Sequence, residues 1–375
     1  MSEPIRILHV VGIMNLGGTE NMIMNLYRRV DKSKVQFDFV ENSDQPAAFD
    51  EEILATGGRI YRCPHYNGKN HIAYKQWWKR FFNEHKGEYA AVHGHLGSTA
   101  SIYLSVAKKQ GIYTIAHSHS TGMGLMYRLF SYSTRFIADA FFACSDEAAV
   151  SRYGKRVAHD TSRCTVLKNA IDSERFRFNP EMRASMRRSL KIDNDALVIG
   201  HIGQFRAEKN HAFLLRVFEE IHRVNANARL LLVGDGVLRA TIKKDIADRQ
   251  LQDSVILAGA KQNTQDYYQA MDRFVFPSVF EGLGIAVIEA QTSGLPCLVS
   301  DAVPDEVAVT KGLVSFRSIG EDAKVWADEV LGHLYEDRTD RTDEVRTAGY
   351  DIAASAQWLE EFYLNIPSPS DKANT

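Results

Sequence analysis

Phe276-Pro277-Ser278-Val279-Phe280-Glu281-Gly282-Leu283-Gly284-Ile285-Ala286-Val287-Ile288-Glu289-Ala290, with Gly294-Leu295-Pro296 four residues on, decides how this chain is read. Residues 272–277 are a short apolar run closed by proline, the signature of a buried strand. Residues 285–293 read as a helix whose first turn follows the Glu-Gly-Leu-Gly segment. A strand, a glycine turn and a helix start form an anion site, because the first N–H groups of a helix are unengaged and glycine lets another molecule approach the main chain. Glu281 falls in the turn and Glu289 about two helical turns later, so both carboxylates address one edge at different depths. Two glutamates eight apart are, taken alone, two solvated charges; what surrounds them argues otherwise.

Outward from this stretch the chain alternates short apolar runs with helix-like segments, in two rounds. The first round has runs at 5–11, 35–40, 59–63, 90–93, 113–117 and 140–143; the second has 197–203, 228–233, 255–258, 274–276 and 297–300. Such alternation predicts parallel sheets covered on both faces, and hence α/β architecture. At 375 residues and 45% hydrophobic content the chain can bury two cores of ordinary size. The expected layout is two Rossmann-like doubly wound domains facing a central cleft, at 1–172 and 190–350, with the charged stretch 173–189 as linker.

The loops at strand ends carry the chemistry, since open α/β sheets bind ligands there. Gly203-Gln204-Phe205-Arg206-Ala207-Glu208-Lys209 follows the first strand of the second round. Arg206 as a planar fork and Lys209 as a point charge can offset a pyrophosphate. Gly234-Asp235-Gly236 and Gly259 follow the next two strands; they either turn the chain or let a nucleoside approach. In the first round, Gly17-Gly18-Thr19-Glu20 sits between strand one and an amphipathic helix at about 20–29. It is not Gly-x-Gly-x-x-Gly, so a dinucleotide fingerprint is not supported. His93-Gly94-His95 and His117-Ser118-His119 end neighbouring strands. Four imidazoles raise a metal site, but with no Cys or carboxylate completing it, none is expected, and His93 reads as a core or surface histidine.

These motifs together resemble the retaining glycosyltransferases of family 4, of the GT-B fold, whose signature is Glu-x7-Glu inside Pro-Ser-x-x-Glu-Gly-x-Gly. Glu281 and Glu289 match it residue for residue, Gly-Leu-Pro follows at the family's distance, and the likeness covers nearly the whole chain. The resemblance implies transfer of a hexose from a nucleoside diphosphate sugar, UDP above others, to a hydroxyl of a lipid-linked or saccharide acceptor in capsular or exopolysaccharide synthesis, with no cofactor and no metal. It implies that Glu281 meets the donor sugar, Glu289 the ribose, and Arg206 and Lys209 the diphosphate. Gly17 and Gly18 would approach the donor phosphates or the acceptor, with Glu20 matching the acidic residue after them. His117, with His119 second, would contact the sugar; Gly234 and Gly259 would border the nucleoside, Gly282, Leu283 and Gly284 would bind the donor, and Leu283, Ile285 and His117 would shape the sugar pocket. The segment 349–363 resembles the family's terminal helix crossing back onto the first domain, over about 352–366. Where the family has Asn-Gly-Ile-Asp this chain has Asn169-Ala170-Ile171-Asp172, so no positive φ is expected at 170. A nucleotide-sugar epimerase of the same architecture and a non-catalytic sugar-nucleotide-binding subunit are the alternatives.

Elsewhere the sequence speaks mainly to location. No apolar run approaches the roughly 20 residues of a membrane span, and the start lacks a secretory leader, so a cytoplasmic protein without nucleic-acid partners is expected. Cys63, Cys144, Cys164 and Cys297 have no metal spacing and read as reduced structural thiols. Lys and Arg are in excess over residues 1–172 and Asp and Glu over the remainder, within a net charge of −2; the basic half could lie against anionic lipid or a phosphate-bearing acceptor. Aromatics at 74, 77, 78, 81 and 82 with cations at 75, 79 and 80 describe a helix lying at a membrane interface, or one buried on a sheet with a solvated rim; the buried reading is preferred. Residues 368–375 read as disordered.

Overall fold

The computed structural model describes residues 3–119, 133–332 and 338–367. The expected disorder of 368–375 lies outside them. The chain divides into two compact units, Met1–Ile171 with Asp351–Thr375, and Asp172–Tyr350. Each is a parallel sheet clothed by helices.

The first sheet contains β1 (Ile5–Val11), β2 (Val35–Glu41), β3 (Ile60–Arg62), β4 (Tyr89–Gly94), β5 (Tyr113–Ser118), β6 (Ala140–Ala143) and β7 (Cys164–Val166). Their order is β3-β2-β1-β4-β5-β6-β7, so the winding reverses between β1 and β4, and a crevice opens at the carboxyl ends there. Alternation sorts the strand residues between two cores. Leu8, Val10, Val40, Val92 and Phe141 join the core that contains the aromatic helix His71–Glu84. Ile7, Phe37, Phe39, Ala91 and Ile115 join the opposite one, roofed by the helix Ile352–Leu364. Tyr74, Trp78, Phe81 and Phe82 are buried, which settles the aromatic stripe as core, while Ile72, Lys79 and Arg80 lie on the exposed side.

The terminal helix belongs to the first unit. Asp351 caps it, accepting from the N–H groups of Ala353 (3.1 Å) and Ala354 (3.2 Å), and Ile352 N–H donates to the Ile171 carbonyl at 2.8 Å. Ala170 is not among the residues with positive φ, as its replacement of glycine requires.

The second sheet contains β8 (Val198–Ile202), β9 (Arg229–Val233), β10 (Val255–Gly259), β11 (Arg273–Phe276), β12 (Cys297–Ser300) and β13 (Val314–Arg317), in the order β10-β9-β8-β11-β12-β13. Its reversal lies between β8 and β11, the two strands whose following loops carry Lys209 and Glu281. Two edge strands, β7 and β13, were not expected; both are short and largely half-buried, so they lack the continuous apolar run that marks an inner parallel strand.

Residues 173–189, expected as a linker, are instead built into the second unit as the helices Ser173–Phe176 and Pro180–Ser189. Asn179 caps the longer one by accepting from Met182 N–H at 2.9 Å, and Pro180 occupies its first turn. Two of its three arginines are structural: Arg183 donates to the Met271 carbonyl at 2.8 Å, and buried Arg187 reaches Asp272 at 3.2 Å. A charged run mistaken for a solvated connector is consumed by carbonyls and a carboxylate at the start of β11.

Candidate active site at the strand ends

The β8 strand ends at Ile202 and the chain turns through Gly203 and Phe205 into a short 3-10 turn, Ala207–Lys209. Lys209 Nζ pairs with Glu281 Oε1 and lies over the Phe276 ring, 4.6 Å from its centroid. Val279 N–H donates to the Glu208 carbonyl at 2.8 Å, tying the β11 loop to the β8 loop by main chain as well as by charge. The lysine is thus pre-aimed at the edge where the Glu281-Gly282-Leu283-Gly284 turn begins. Arg206 is exposed at the same loop and forms no ion pair among the described residues.

Gly284 takes the left-handed conformation (φ 85°, ψ 53°) as N-cap of the helix Ile285–Thr292, a geometry that favours glycine. The N–H groups of Gly282, Leu283 and Gly284 donate no hydrogen bond among the described residues, and those of Ile285 and Ala286 have no intrahelical partner by geometry, while Val287 N–H already donates to the Gly284 carbonyl at 2.8 Å. Backbone donors and a positive dipole end therefore meet Lys209 at one spot, which suits an anion.

Glu289 lies deeper on the same helix and keeps part of its surface open. Burial pushes its carboxyl up to about 7, against a hydrogen bond from Tyr268 that pulls it down. The Tyr268 hydroxyl is 2.8 Å from Glu289 Oε2 and 3.0 Å from the Ala286 carbonyl. With a single phenolic proton, it serves both acceptors fully only when Glu289 itself carries a proton.

The glycine loops sort into two kinds. Gly234 has φ +151°, and a Cβ there would lie 1.9 Å from the Gly203 carbonyl oxygen. Its N–H donates to the Gly259 carbonyl at 2.9 Å, while Gly203 N–H reaches Val233 O at 3.0 Å. Three strand-end loops are laced together through these glycines, so the fold itself requires Gly234. By contrast a Cβ at Gly18, in the first turn of the helix Gly18–Arg29, would meet nothing within 4 Å. We therefore expect Gly234→Ala to destabilise the chain by about 3 kcal/mol or more, read as a lowered urea midpoint. Gly18→Ala should stay within about 0.5 kcal/mol of the parent, and any loss of turnover it causes would then report on ligand contact.

In the first unit, Gly17 caps the helix Gly18–Arg29 with φ −98°, and the Glu20 carboxylate folds back toward it. Burial raises the pKa of Glu20. His117 and His119 close β5, joined by His93, His95 and His9. His93 Nε2 is 3.1 Å from His117 Nδ1, and its Nδ1 is 2.6 Å from the Tyr363 hydroxyl. Burial lowers the pKa of all five imidazoles, so they are neutral at neutral pH. Arg206, Lys209, Glu281 and Glu289 thus gather at the strand ends of the second unit; Gly17, Gly18, His117 and His119 belong to the first. Sequence reasoning missed Tyr268 and His9: the former sits in an unremarked Tyr-Tyr pair, whereas the latter, a lone imidazole in an apolar strand, was visible.

Residues 16–175 match the family model described as Glycosyltransferase Family 4, and residues 182–331 match that of Glycosyl transferases group 1. The protein named "Putative glycosyltransferase EpsF" of Bacillus subtilis (strain 168) is 34% identical over 382 residues, spanning 99% of both chains. The chain belongs to the family 4 glycosyltransferases of the GT-B fold. It is therefore an enzyme that transfers a glycosyl group, and the epimerase and non-catalytic readings fall away. The UDP-Gal:alpha-D-GlcNAc-diphosphoundecaprenol alpha-1,3-galactosyltransferase of Escherichia coli is 25% identical over 227 residues, 58% of this chain and 59% of its own. Among solved structures, a glycosyltransferase from Rickettsia africae ESF-5 superposes with a TM-score of 0.78 at 14% identity, covering 97% of this chain and 99% of its own. Anabaena HepE in complex with UDP and glucose gives 0.73 at 15% identity, covering 96% and 99%. At such identities these two likenesses speak for the fold.

Proposed function

We propose that the chain moves a hexose from a UDP-sugar to a hydroxyl of a lipid-linked or saccharide acceptor, in cell-surface polysaccharide synthesis, with retention of anomeric configuration and without a cofactor or a divalent cation at the diphosphate. The observation that carries this reading is Lys209, held by Glu281 beside the unengaged N–H groups that open the helix Ile285–Thr292. UDP in the HepE complex and UDP-Gal in the name of the Escherichia coli relative support the nucleotide. The diphosphoundecaprenol in that relative's name supports a lipid-linked acceptor. A peripheral membrane contact belongs to the same reading, supported by exposed Ile72 with Lys79 and Arg80 on one helix.

In the transfer, the bond between the anomeric carbon and the β-phosphate oxygen breaks through an oxocarbenium-like state. Negative charge grows on the departing diphosphate, where Lys209, Arg206 and the main-chain donors of residues 282–284 stabilise it in place of a metal. Glu281 binds sugar hydroxyls or faces the positive charge at the ring, and Glu289 accepts from the ribose. No covalent nucleophile is assigned. The test is release of nucleoside diphosphate from UDP-, GDP- and ADP-sugars in EDTA with membrane lipid extract as acceptor. Acceptor-dependent UDP release is expected; release that required a divalent cation, or that favoured another nucleotide, would contradict the proposal.

A further inference from the structure

Five imidazoles converge on one face of the first sheet, and neither the donor chemistry nor the packing uses them fully. His9 on β1, His93 on β4 and His117 on β5 hold odd positions of their strands, and His95 and His119 follow two residues on, just past the ends of β4 and β5. β1 pairs with β4 through His9 and His93, and β4 with β5 through Gly94 and Ala116. Alternate residues of a strand point the same way, so two His-x-His pairs stand side by side, and His9 joins them from the third strand. His9 is visible in its apolar strand, but the sequence does not join it to the other four, which lie more than eighty residues away.

The rings touch through nitrogen. His9 Nδ1 is 2.9 Å from His95 Nε2, and His95 Nδ1 is 2.8 Å from His119 Nε2. Two sets of three, His9–His93–His95 and His95–His117–His119, each offer one ring nitrogen apiece with all three within 4.8 Å of one another. Three buried nitrogens, His9 Nε2, His117 Nε2 and His119 Nδ1, have no hydrogen-bond partner among the described residues. Each buried polar atom left without a partner is unfavourable, and two of these nitrogens belong to the second set, His117 and His119, where an ion that accepts nitrogen lone pairs would engage them.

We propose that His95, His117 and His119 bind one divalent transition-metal ion of the Zn2+ class. Imidazole suits zinc and its neighbours, whereas magnesium, calcium and manganese prefer oxygen. Of the two sets, this one contains the two partly exposed rings, His95 and His119, which gives the ion a way in. The other rings, His9 and His93, orient it from behind, and Tyr363 fixes His93 in turn. Three imidazoles leave a fourth position open for water or another ligand.

The site lies wholly in the first unit, so its test does not depend on the transferase reading: binding is read on tag-free full chain, stripped with EDTA, in the absence of donor. Titration with Co2+ should give one equivalent per chain with visible absorption bands of a nitrogen-ligated ion, and Zn2+ should displace it. His95→Gln and His119→Asn should each weaken binding at least about tenfold, while exposed His159→Gln should leave it unchanged. Circular dichroism of each variant separates loss of ligand from loss of fold. If a variant fails to fold, X-ray absorption at the zinc edge of the loaded parent decides: imidazole scattering is expected. An oxygen-only shell, binding identical in all variants, or no stoichiometric binding would overturn the assignment.

Discussion

Lys209→Ala is expected to lower kcat for donor turnover about 10²–10³-fold, the effect seen when one donor to a developing oxyanion is removed. The fold should survive, because the lysine is held by a carboxylate and an aromatic face rather than by the core. Glu281→Gln separates binding from chemistry. In the ligand-free chain Glu281 occupies Lys209, so a neutral partner releases the ammonium for the diphosphate. UDP affinity should then hold steady or rise while turnover falls by a factor of the same order as for Lys209→Ala. Isothermal titration with UDP and a steady-state turnover assay read the two quantities. Should both variants lose UDP affinity and turnover in parallel, the pair would be structural rather than catalytic.

The second large effect is on pH. Glu289 titrates at about 7 in the free chain because burial disfavours its charge. If the ribose hydroxyls donate to the ionised form, bound nucleotide pulls that value down and affinity depends on the proton already being lost. UDP should then bind about tenfold more weakly at pH 6 than at pH 8, and Glu289→Gln should flatten the difference; the nucleotide's own titration is common to both proteins and cancels. Stability without ligand runs the other way. The folded-state value lies above the ordinary carboxylate value, so the stabilising contribution is complete below the unfolded pKa and is lost as pH rises through 7. Glu289→Gln should therefore raise the melting temperature at pH 8 and leave it nearly unchanged near pH 4. An affinity difference that persists in Glu289→Gln would remove Glu289 from the ribose.

How far these features were legible in the sequence follows from where their causes lie. Inner parallel strands such as β1, β6 and β12 were readable to the residue because burial on both faces writes a continuous apolar run. The edge strands β7 and β13 were not, since each is short and broken by a polar residue. The glutamates and the glycine turn around Gly284 were legible because local spacing sets their geometry. What spacing cannot carry is partnership across the chain: Glu281 finds Lys209 from 72 positions away, and Tyr268 meets Glu289 from the preceding helix. Arg187, in a stretch expected as a linker, is buried against Ala270 and Asp272, just ahead of β11. Gly234 is glycine for the Gly203 carbonyl, a contact between two loops. In the first unit, a pair of His-x-His motifs pointed to an imidazole cluster whose fifth member came from another strand.

The direct test of the central claim is a crystal structure of the chain with UDP. The β-phosphate should lie within hydrogen-bond distance of Lys209 Nζ and the main-chain N–H groups of residues 282–284, with the ribose on Glu289. A nucleotide bound with its phosphates away from the Glu281-Gly282-Leu283-Gly284 turn would contradict it.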